Sequence, residues 1–413
     1  MTNPLVIAEL GLAGATFLPF AYYYSKIKLS KAGKPERPDS NLPVNLQILL
    51  PMWNEESVIN SKLENLAKEV RAVRASNNHQ ISLLVIDSAS TDSSVEICNS
   101  WLDDNSNIYD DFSIIEMPKR LGKTAAVTLA LERIHQSKTI PDLVFMTDAD
   151  AILESGCLGS LLSWFSDDEY GAVGATPIRK NALQSEKVHR DMFSMLREYE
   201  SNAGSTSMLE GSGLVWRSHL ISPSELFPDS NADDAQIASI VLSKGKRVIQ
   251  DPDAKFTDFA PTNSSEQFRQ KKRRGQGLIV NFLRSRRAIL SNRDNITKTT
   301  ISNFKMNYYF HVIAPITSFG FVITGIARYV QLLYQGNSPL STANGLELSV
   351  IGIELALLLS IILAKLNLRL PFFSQLSGLT SGMQALLSAW FRILSGKKSN
   401  LWDQHIETRI ERD

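Results

Sequence analysis

The sequence predicts an α/β protein with a mainly parallel sheet, helices on both faces of that sheet, and transmembrane helices joined to it. Short apolar segments of strand length alternate with helical segments over the first 150 residues, as in parallel strands joined by crossover helices. Three mostly apolar stretches also approach the ~20 residues that a helix needs to cross a bilayer. With 413 residues, the chain is long enough for two or three such units.

Four strands are predicted in the first unit, and each is followed by polar residues. The strands cover residues 46–50, 83–86, 112–116 and 143–147, and helical segments separate them. Ligands of such folds collect at the carboxyl ends of the strands. The polar residues beyond those ends are therefore candidates for a functional site: Glu55, Asp87, Lys123, Asp148 and Asp150.

Asp148-Ala149-Asp150 is the most informative of these clusters. The two acids end the apolar run 143–147, which indicates a buried strand rather than a solvated turn. Two carboxylates one residue apart at a strand end can hold a divalent cation, and that cation can neutralise a diphosphate. A polar strand exit without a ligand is the alternative interpretation of this short motif.

The other polar residues also have structural interpretations. Asp87 is suited to capping the helix that follows it, and Glu55 to a first helical turn, where the dipole favours an acid. Gly122-Lys123-Thr124 resembles the end of a phosphate-binding P-loop, but Met117 stands where that motif requires glycine. Lys123 is thus a candidate phosphate ligand only as a single side chain at the start of a helix. The alternative is that this side chain is solvated.

Composition excludes some classes of protein. The 43 basic and 43 acidic residues give no net charge, so nothing in the overall balance indicates a nucleic-acid partner. Cys98 and Cys157 are the only cysteines, which is too few for a disulfide framework and lacks metal-ligand spacing. The mean hydropathy of −0.09 is high for a chain with 21% charged residues, and clustering of the apolar residues explains it.

The apolar stretches divide the chain. The N-terminal stretch is predicted to be an uncleaved anchor, because no basic segment precedes it and no clear cleavage site follows it. The C-terminal membrane region has two strong spans, at 308–334 and 348–366, and an ambiguous segment at 371–395 that is either a weak span or an interfacial helix. The predicted regions are a transmembrane anchor at 1–25, a catalytic domain at 40–290, a membrane region at 305–395 and a tail at 396–413.

Basic residues on both sides of the catalytic domain predict its location. Lys26, Lys28 and Lys31 directly follow the anchor, and arginines from Arg284 onward precede the C-terminal membrane region. Under the positive-inside rule, both groups lie in the cytoplasm and the N-terminus lies outside. The sequence therefore predicts an integral protein of the cell membrane whose catalytic domain and C-terminal tail are cytoplasmic.

Taken in order, the motifs of residues 44–290 resemble those of family 2 glycosyltransferases, which have the GT-A nucleotide-diphospho-sugar transferase fold. Any one of these motifs is common, but their occurrence in this order is not. The matching segments are Leu50-Pro51-Met52-Trp53-Asn54-Glu55, Ile86-Asp87-Ser88-Ala89-Ser90-Thr91-Asp92, Gly122-Lys123, Thr147-Asp148-Ala149-Asp150, Glu210-Gly211-Ser212-Gly213, Asp233-Asp234 and Gln270-Lys271-Lys272-Arg273-Arg274.

The resemblance implies a role for each matching residue. Asp234 would be the general base that takes a proton from the acceptor hydroxyl, with Asp233 beside it raising its pKa. A helix N-terminus is the structural alternative for this acidic pair. Asp150 would bind the metal ion, and Asp148 would contact either the metal ion or the ribose. The implied donor-binding residues are Pro51, Glu55, Asp87, Lys123, Asp148, Asp150, Gln270, Arg273 and Arg274, and the implied acceptor-binding residues are Gly211, Ser212 and Gly213.

Two positions depart from the family pattern. Arg274 stands where the family has tryptophan, although an arginine can still stack on a sugar or pair with a phosphate. Asp233 stands where glutamate is usual, which shortens its reach. The basic block 269–274 has a second interpretation as a solvated positive face near the membrane surface.

These features together predict an inverting, metal-dependent hexosyltransferase-type glycosyltransferase. It would use Mg²⁺ or Mn²⁺ to transfer a sugar from a nucleotide sugar, a UDP-sugar by preference, to a lipid-linked or glycan acceptor at the cytoplasmic membrane face. One alternative is a polyprenyl-phosphate glycosyltransferase, in which the phosphate itself is the acceptor. Another is an inactive membrane-bound scaffold that binds nucleotide sugars, which the departures at Asp233 and Arg274 motivate.

Overall fold

The computed structural model describes residues 3–397, except 31, 39–41, 181–183, 260–262, 339–343, 367 and 369, and also residue 401. The predicted tail 396–413 lies almost entirely outside the described residues. The helices and strands run in this order: α1 (Pro4–Leu29), β1 (Asn45–Met52), α2 (Ile59–Ser76), β2 (Gln80–Asp87), α3 (Ser94–Asp104), β3 (Asp111–Glu116), α4 (Lys123–His135), β4 (Leu143–Met146), β5 (Ile152–Leu153), α5 (Cys157–Ser163), β6 (Tyr170–Lys180), α6 (Gln184–Ala203), β7 (Leu214–Arg217), α7 (Asp233–Ser243), β8 (Arg247–Phe259), α8 (Ser264–Ser291), α9 (Lys298–Tyr308), α10 (Ala314–Tyr334), α11 (Gly345–Lys365) and α12 (Pro371–Leu394).

The strands form one eight-stranded sheet in the order β3-β2-β1-β4-β7-β6-β8-β5. The four predicted strands are β1 to β4, and they pair in parallel, with Met52 opposite Asp87 and Leu49 opposite Met146. The other half of the sheet is mixed: β7 is antiparallel to both β4 and β6, whereas β8 is parallel to β6. The predicted α/β fold is thus confirmed, and the antiparallel strands follow the parallel ones along the chain.

Alternate residues of the central strands enter two different cores. Leu46, Ile48 and Leu50 of β1 pack in the cluster that contains α2, α3 and α5, whereas Leu49 packs in the cluster that contains α4 and α7. This follows from the two-residue period of a strand, which sends successive side chains to opposite faces. Because both faces are covered, the strands are almost uninterrupted apolar runs. The carboxyl edge of the sheet is the place where polar side chains can collect.

Three helices within the described residues are long and apolar enough to cross a membrane. They are α1, the continuous segment Lys298–Tyr334 that joins α9 to α10 through a π-helical turn at Tyr309–Ile313, and α11. They correspond in position to the predicted anchor and to the two predicted C-terminal spans. The ambiguous segment forms α12, which has 24 residues but is not among the helices apolar enough to cross a membrane. It packs against α8.

An ion cluster joins α1, α10 and α11. The guanidinium of Arg328 donates to Glu9 Oε2 at 2.7 Å and to both carboxylate oxygens of Glu354 at 3.0 Å. Arg328 is 2% exposed and Glu9 is fully buried. Tyr329 Oη also donates to Glu354, at 2.6 Å. The three candidate membrane helices are therefore linked by polar side chains in segments that are otherwise apolar.

Candidate active site

A cavity of about 650 Å³ lies at the carboxyl edge of the sheet. It brings together residues from distant parts of the chain, including Asp150, the predicted metal ligand, and Asp234, the predicted general base. The predicted site residues that line it are Pro51, Glu55, Lys123, Asp148, Asp150, Gly211, Ser212, Asp233, Asp234, Gln270, Arg273 and Arg274.

Lys123 and Asp148 form the central ion pair of the cavity. Lys123 Nζ lies 2.5 Å from Asp148 Oδ1 and 3.2 Å from Asp233 Oδ2. Burial alone would lower the pKa of Lys123, but the carboxylates of Asp148 and Asp233 outweigh that effect and raise the pKa. In the same way, burial acts to raise the pKa of Asp148, while Lys123 lowers it overall. Lys123 is therefore a fixed cation among the acids.

Hydrogen bonds from both sides hold the loop after β4 in place. The buried Lys62 donates to Thr147 Oγ1 and to the carbonyl of Ala151, both at 2.7 Å. Thr147 Oγ1 in turn donates to the carbonyl of Ser212 at 2.8 Å, and Ser212 Oγ donates to Asp148 Oδ2 at 2.7 Å. The loop that carries Asp148 is thereby tied both to α2 and to the segment before β7.

Gly211 lets the backbone approach the ion pair closely. A β-carbon at this position would lie 2.9 Å from Lys123 Nζ and 3.6 Å from Asp233 Oδ2. Any larger residue would therefore displace the ammonium group. This contact gives a physical reason for glycine beside the acid cluster.

Asp233 and Asp234 occupy the first turn of α7. Burial and the neighbouring carboxylate of Asp233 raise the pKa of Asp234 from 3.8 to about 7. Asp234 Oδ1 accepts a hydrogen bond from the backbone N–H of Ala235 at 2.7 Å, which fixes its orientation. A carboxylate with a pKa near neutrality is suited to general base catalysis, because it is a stronger base than an ordinary carboxylate and about half of it is still ionised near pH 7.

The acids of the cavity are candidate ligands of a divalent cation. Among the described residues, no cluster of three or more His, Cys, Asp or Glu side chains is arranged to hold a metal ion by itself. Mg²⁺ commonly takes only one or two protein carboxylates and completes its octahedron with water and substrate phosphates. Asp148 and Asp150 provide such a pair, and Asp233 Oδ2, which lies 3.2 Å from Lys123 Nζ, adds an oxygen to the same cavity.

The basic segment of α8 contributes the opposite charge. Gln270, Arg273 and Arg274 line the cavity from this helix. The backbone carbonyl of Arg273 accepts a hydrogen bond from Asn231 Nδ2 at 2.7 Å, just before α7 begins. Arg274 lies 3.9 Å from Glu210 and its side chain is 39% exposed. The cavity therefore has an acidic side at the sheet and a basic side at α8.

Two predicted site residues lie outside the lining of the cavity. Asp87 is 2% exposed, and its carboxylate accepts hydrogen bonds from the backbone N–H of Ser90, at 2.9 Å, and from the hydroxyl of Ser90. Gly213 packs against β6, where a β-carbon would lie 2.8 Å from that of Ala175. In this structure Asp87 thus shapes the loop after β2, and Gly213 allows close packing of β7.

Hydrogen bonds from Asn54 join the loop after β1 to the loop after β2, and each loop has one residue with positive φ. Asn54 and Ala89 are the non-glycine residues with positive φ, at 53° and 60°, within the part of the chain that the structure describes. Asn54 accepts from the backbone N–H of Thr91 at 2.7 Å, and its own N–H donates to Ser90 Oγ at 2.8 Å. Strained backbone of this kind concentrates at functional sites.

Sequence reasoning missed a second ion cluster in the cavity. Glu210 lies 3.0 Å from Arg179 and 3.1 Å from Arg197, and Arg179 also pairs with Asp258. Glu210 belongs to a matching motif, but the arginines lie on β6 and α6, outside all the matching motifs. Nothing in the local sequence distinguishes them from arginines on a surface.

The eight-stranded sheet, with an acidic cavity at its carboxyl edge, has the GT-A fold. A solved structure, the mannosyltransferase PcManGT from Pyrobaculum calidifontis in complex with GDP-Man and Mn²⁺, superimposes with a TM-score of 0.72 at 21% identity, covering 95% of this chain and 99% of that one. At this identity the likeness establishes the fold.

The sequence profile described as glycosyl transferase family 2 matches residues 47–217. Residues 47–217 are therefore a family 2 glycosyltransferase domain, and the family resemblance of the motifs within this segment is confirmed. It is also 24% identical over 211 residues to the minor teichoic acid biosynthesis protein GgaA of Bacillus subtilis (strain 168). That match covers 48% of this chain and 44% of the relative, so the chain spans less than half of the relative's length.

Proposed function

We propose that this protein transfers a sugar from a nucleotide-diphospho-sugar to an acceptor hydroxyl, with inversion at the anomeric carbon and with a divalent cation. The observation that carries the proposal is the position of Asp234, whose pKa is raised to about 7, in the same cavity as Asp148 and Asp150. A base and a diphosphate-binding acid pair that share one cavity are the parts required for a single displacement.

In this reaction, Asp234 removes the proton of the acceptor hydroxyl as that oxygen attacks the anomeric carbon. The bond between this carbon and the diphosphate oxygen breaks at the same time, so the configuration inverts and the nucleoside diphosphate leaves with the electron pair. Gln270, Arg273 and Arg274 stabilise the growing charge of the leaving group. Lys123, held by Asp148 and Asp233, adds a fixed positive charge to the same region.

Asp148 and Asp150 would hold the cation, Mg²⁺ or Mn²⁺. When bound, the cation supplies charge neutralisation for the departing diphosphate. In its absence Lys123 balances the charge of Asp148, because the two groups are in contact. We therefore expect the cation and the diphosphate to bind together, each supplying part of the other's coordination.

The preferred donor in this proposal is a UDP-sugar, and the acceptor is a lipid-linked or glycan molecule at the cytoplasmic face of the membrane. The similarity to a teichoic acid biosynthesis protein supports a role in building cell-surface glycans. The three helices that are apolar enough to cross a bilayer support a membrane location.

A donor screen tests this proposal directly. Purified protein is incubated with UDP-, GDP- and TDP-sugars, with a membrane extract as the acceptor source, and released nucleoside diphosphate is measured with Mg²⁺, with Mn²⁺ and with EDTA. We expect release from one nucleotide class, dependent on the cation and absent in Asp234→Asn. Equal release in EDTA would contradict the metal dependence, and full turnover by Asp234→Asn would contradict the role of the base.

Asp150→Ala provides a separate prediction about the metal. Because Asp150 would contribute a direct ligand, this variant should bind the donor nucleotide at least tenfold more weakly in Mg²⁺ than the unmodified protein does, and the two should bind equally in EDTA. Calorimetric titration measures both values. Asp103→Asn, on the exposed side of α3, is the matched control and should keep normal affinity. Unchanged affinity of Asp150→Ala in Mg²⁺ would refute the metal site.

A polyprenyl-phosphate acceptor is a second candidate, favoured by one observation. Arg274 lines the cavity at the position where the family has an aromatic residue, and a guanidinium can bind a phosphate in place of a stacked sugar. Products distinguish the two functions, because a sugar joined directly to a phosphate is released by mild acid, whereas the acetal bond of a glycoside to a sugar hydroxyl survives. The inactive scaffold would bind the nucleotide sugar and release no diphosphate.

A further inference from the structure

The cavity that contains the acid cluster also has an apolar part. Its lining includes Tyr23 and Ile27 of α1, Leu196 of α6, and Leu379 and Met383 of α12. α1 is one of the helices long and apolar enough to cross a membrane. One continuous cavity therefore connects carboxylates at the sheet edge with apolar side chains of a candidate membrane helix.

Buried hydrogen bonds fix the wall of this apolar part. Tyr23 Oη donates to Glu200 Oε1 at 2.6 Å, and Glu200 also accepts from Thr206 Oγ1 at 2.8 Å and from Asn307 Nδ2 at 2.7 Å. This network joins α1, α6 and α9, and Glu200 is fully buried within it. The apolar wall is therefore held in a defined place beside the catalytic domain.

Two buried arginines connect the apolar part to the acids. Arg197 follows Leu196 of the apolar wall, and its guanidinium lies 3.1 Å from Glu210, the residue before Gly211. Arg179 reaches the same carboxylate at 3.0 Å. Both arginines line the cavity. Glu210, Asp258 and Gln250 occupy these guanidinium groups in the structure. Because guanidinium groups bind phosphate through two parallel hydrogen bonds, the anionic group of an amphiphile can replace a carboxylate at this position.

We infer that the acceptor is a lipid phosphate or lipid diphosphate that carries the sugar to be extended. Its hydrocarbon chain lies along α1 and α12, its phosphate lies at Arg179 and Arg197, and its acceptor hydroxyl lies toward Asp234. This inference rests on the proposed function and specifies the acceptor class. A hydrocarbon chain is complementary to the apolar lining of this part of the cavity, whereas a soluble glycan is not.

Binding of a simple amphiphile tests the inference without the donor. The purified full chain, at a fixed detergent concentration, is titrated with radiolabelled dodecyl phosphate, and butyl phosphate, dodecanol, inorganic phosphate and dioleoyl phosphatidic acid serve as competitors. We expect dodecyl phosphate to bind at least tenfold more tightly than each competitor, because only it combines one chain with a phosphate. Equal binding of dodecanol would contradict the proposed phosphate site. Equal binding of phosphatidic acid would indicate a bilayer headgroup instead of an acceptor.

Gly382→Leu tests the apolar part, because Gly382 lines the cavity from α12. The new side chain should fill that space and weaken dodecyl phosphate binding at least tenfold, with nucleotide binding unchanged. Leucine favours a helix more than glycine does, so α12 should be preserved. Gln384→Leu adds a leucine on the exposed side of the same helix and should bind normally. If Gly382→Leu also binds normally, the chain does not lie along α12.

Arg197→Gln tests the phosphate position. It should weaken dodecyl phosphate binding about tenfold while dodecanol binding stays constant, and Arg133→Gln on the exposed side of α4 should change neither. An equal loss for both ligands would mean that Arg197 only supports the fold, and would overturn its assignment. All these measurements omit the donor, so their failure leaves donor turnover untested. Lipid binding without any transfer would instead refute the proposed function.

Discussion

Lys123 determines the charge balance of the candidate active site. Its ammonium group contacts Asp148, in the loop after β4, and Asp233, in the first turn of α7. Without the ammonium group these two carboxylates would repel each other. The two carboxylates hold the proton on Lys123, as its raised pKa indicates. At the scale of single residues, a permanent cation therefore keeps the acids close before any metal or substrate binds.

The pH dependence of catalysis should follow Asp234. Only the ionised carboxylate accepts a proton, so kcat/KM should rise with pH through about 7, the raised pKa of Asp234, and should fall about tenfold per unit at lower pH. Steady-state rates between pH 5 and 9, corrected for the pH dependence of the donor, give this profile. A rate that is flat from pH 5 to 8 would exclude Asp234 as the titrating base.

The same raised pKa predicts how stability changes with pH. Because the folded state binds the Asp234 proton more tightly than the unfolded state does, the stabilising contribution of that proton is complete below about pH 4 and is lost as pH rises through about 7. Asp234→Asn removes this titration. The melting temperature of Asp234→Asn minus that of the unmodified protein, measured by scanning fluorimetry, should therefore become more positive from pH 5 to pH 8. If this difference becomes more negative, the pKa of Asp234 is not raised.

Gly211→Ala should reduce activity without unfolding the protein. The new β-carbon would lie 2.9 Å from Lys123 Nζ, the flexible end of a side chain that can move aside at small cost. The displaced ammonium would no longer hold Asp148 and Asp233, and a shift of about 1 Å can lower a rate about 100-fold. Gly159→Ala, where the nearest side-chain atom is 3.5 Å away, is the control. Normal kcat in Gly211→Ala would show that the position of Lys123 is unimportant.

How far the site could be predicted depended on strand geometry. Asp148 and Asp150 directly follow a buried apolar run, and the carboxyl ends of parallel strands necessarily meet at one edge. Arg179 and Arg197 could not be found in this way, because β6 and α6 enter the site through the mixed half of the sheet. For Asp87 the family resemblance implied donor binding, and in the structure its carboxylate accepts hydrogen bonds from Ser90.

At the scale of helices and strands, the mixed half of the sheet was hardest to predict. β8 contains Gln250, Asp251, Asp253 and Lys255, so its sequence lacks the apolar run that identified β1 and β4. It pairs with β6, and such long-range pairing leaves no local pattern. By contrast, the helices over residues 59–76 and 123–135 lie between predicted strands, where helical segments are expected.

The Glu9–Arg328–Glu354 cluster should control how α1, α10 and α11 assemble. Arg328→Met would leave two carboxylates in largely apolar helices, and loss of one partner from a buried ion pair costs about 3–5 kcal/mol. We expect a lower melting temperature in detergent and loss of α1 from the packed structure, seen as faster proteolysis after residue 30. The triple variant Glu9→Gln, Arg328→Met, Glu354→Gln removes the charges together and should recover most of the stability. If it stays as unstable as Arg328→Met, the charges are not the cause.

At the scale of the whole molecule, the candidate spans predict an orientation. With the N-terminus outside and the catalytic domain in the cytoplasm, the loop after α10 lies outside. Cys98 and Cys157 are both buried, so background labelling of the native thiols is low. Asn337→Cys should therefore react with an impermeant maleimide in intact cells, whereas Ser137→Cys, on the catalytic domain, should react only after lysis. The reverse pattern would invert the topology and move catalysis to the outer face.

The hydrogen-bond network around Glu200 has a consequence for biosynthesis. Tyr23 leaves the ribosome early. Its hydrogen-bond acceptor, Glu200, has its full set of partners only when Asn307 has also been made. At ~5–20 residues per second, the N-terminal helix waits about 15–60 s before the polar contacts at its inner end are complete. During that interval the nascent protein is tethered beside the translocation machinery with an unfinished interface. Insertion factors that shelter a lone helix should therefore matter more for the yield of this enzyme than cytosolic chaperones do.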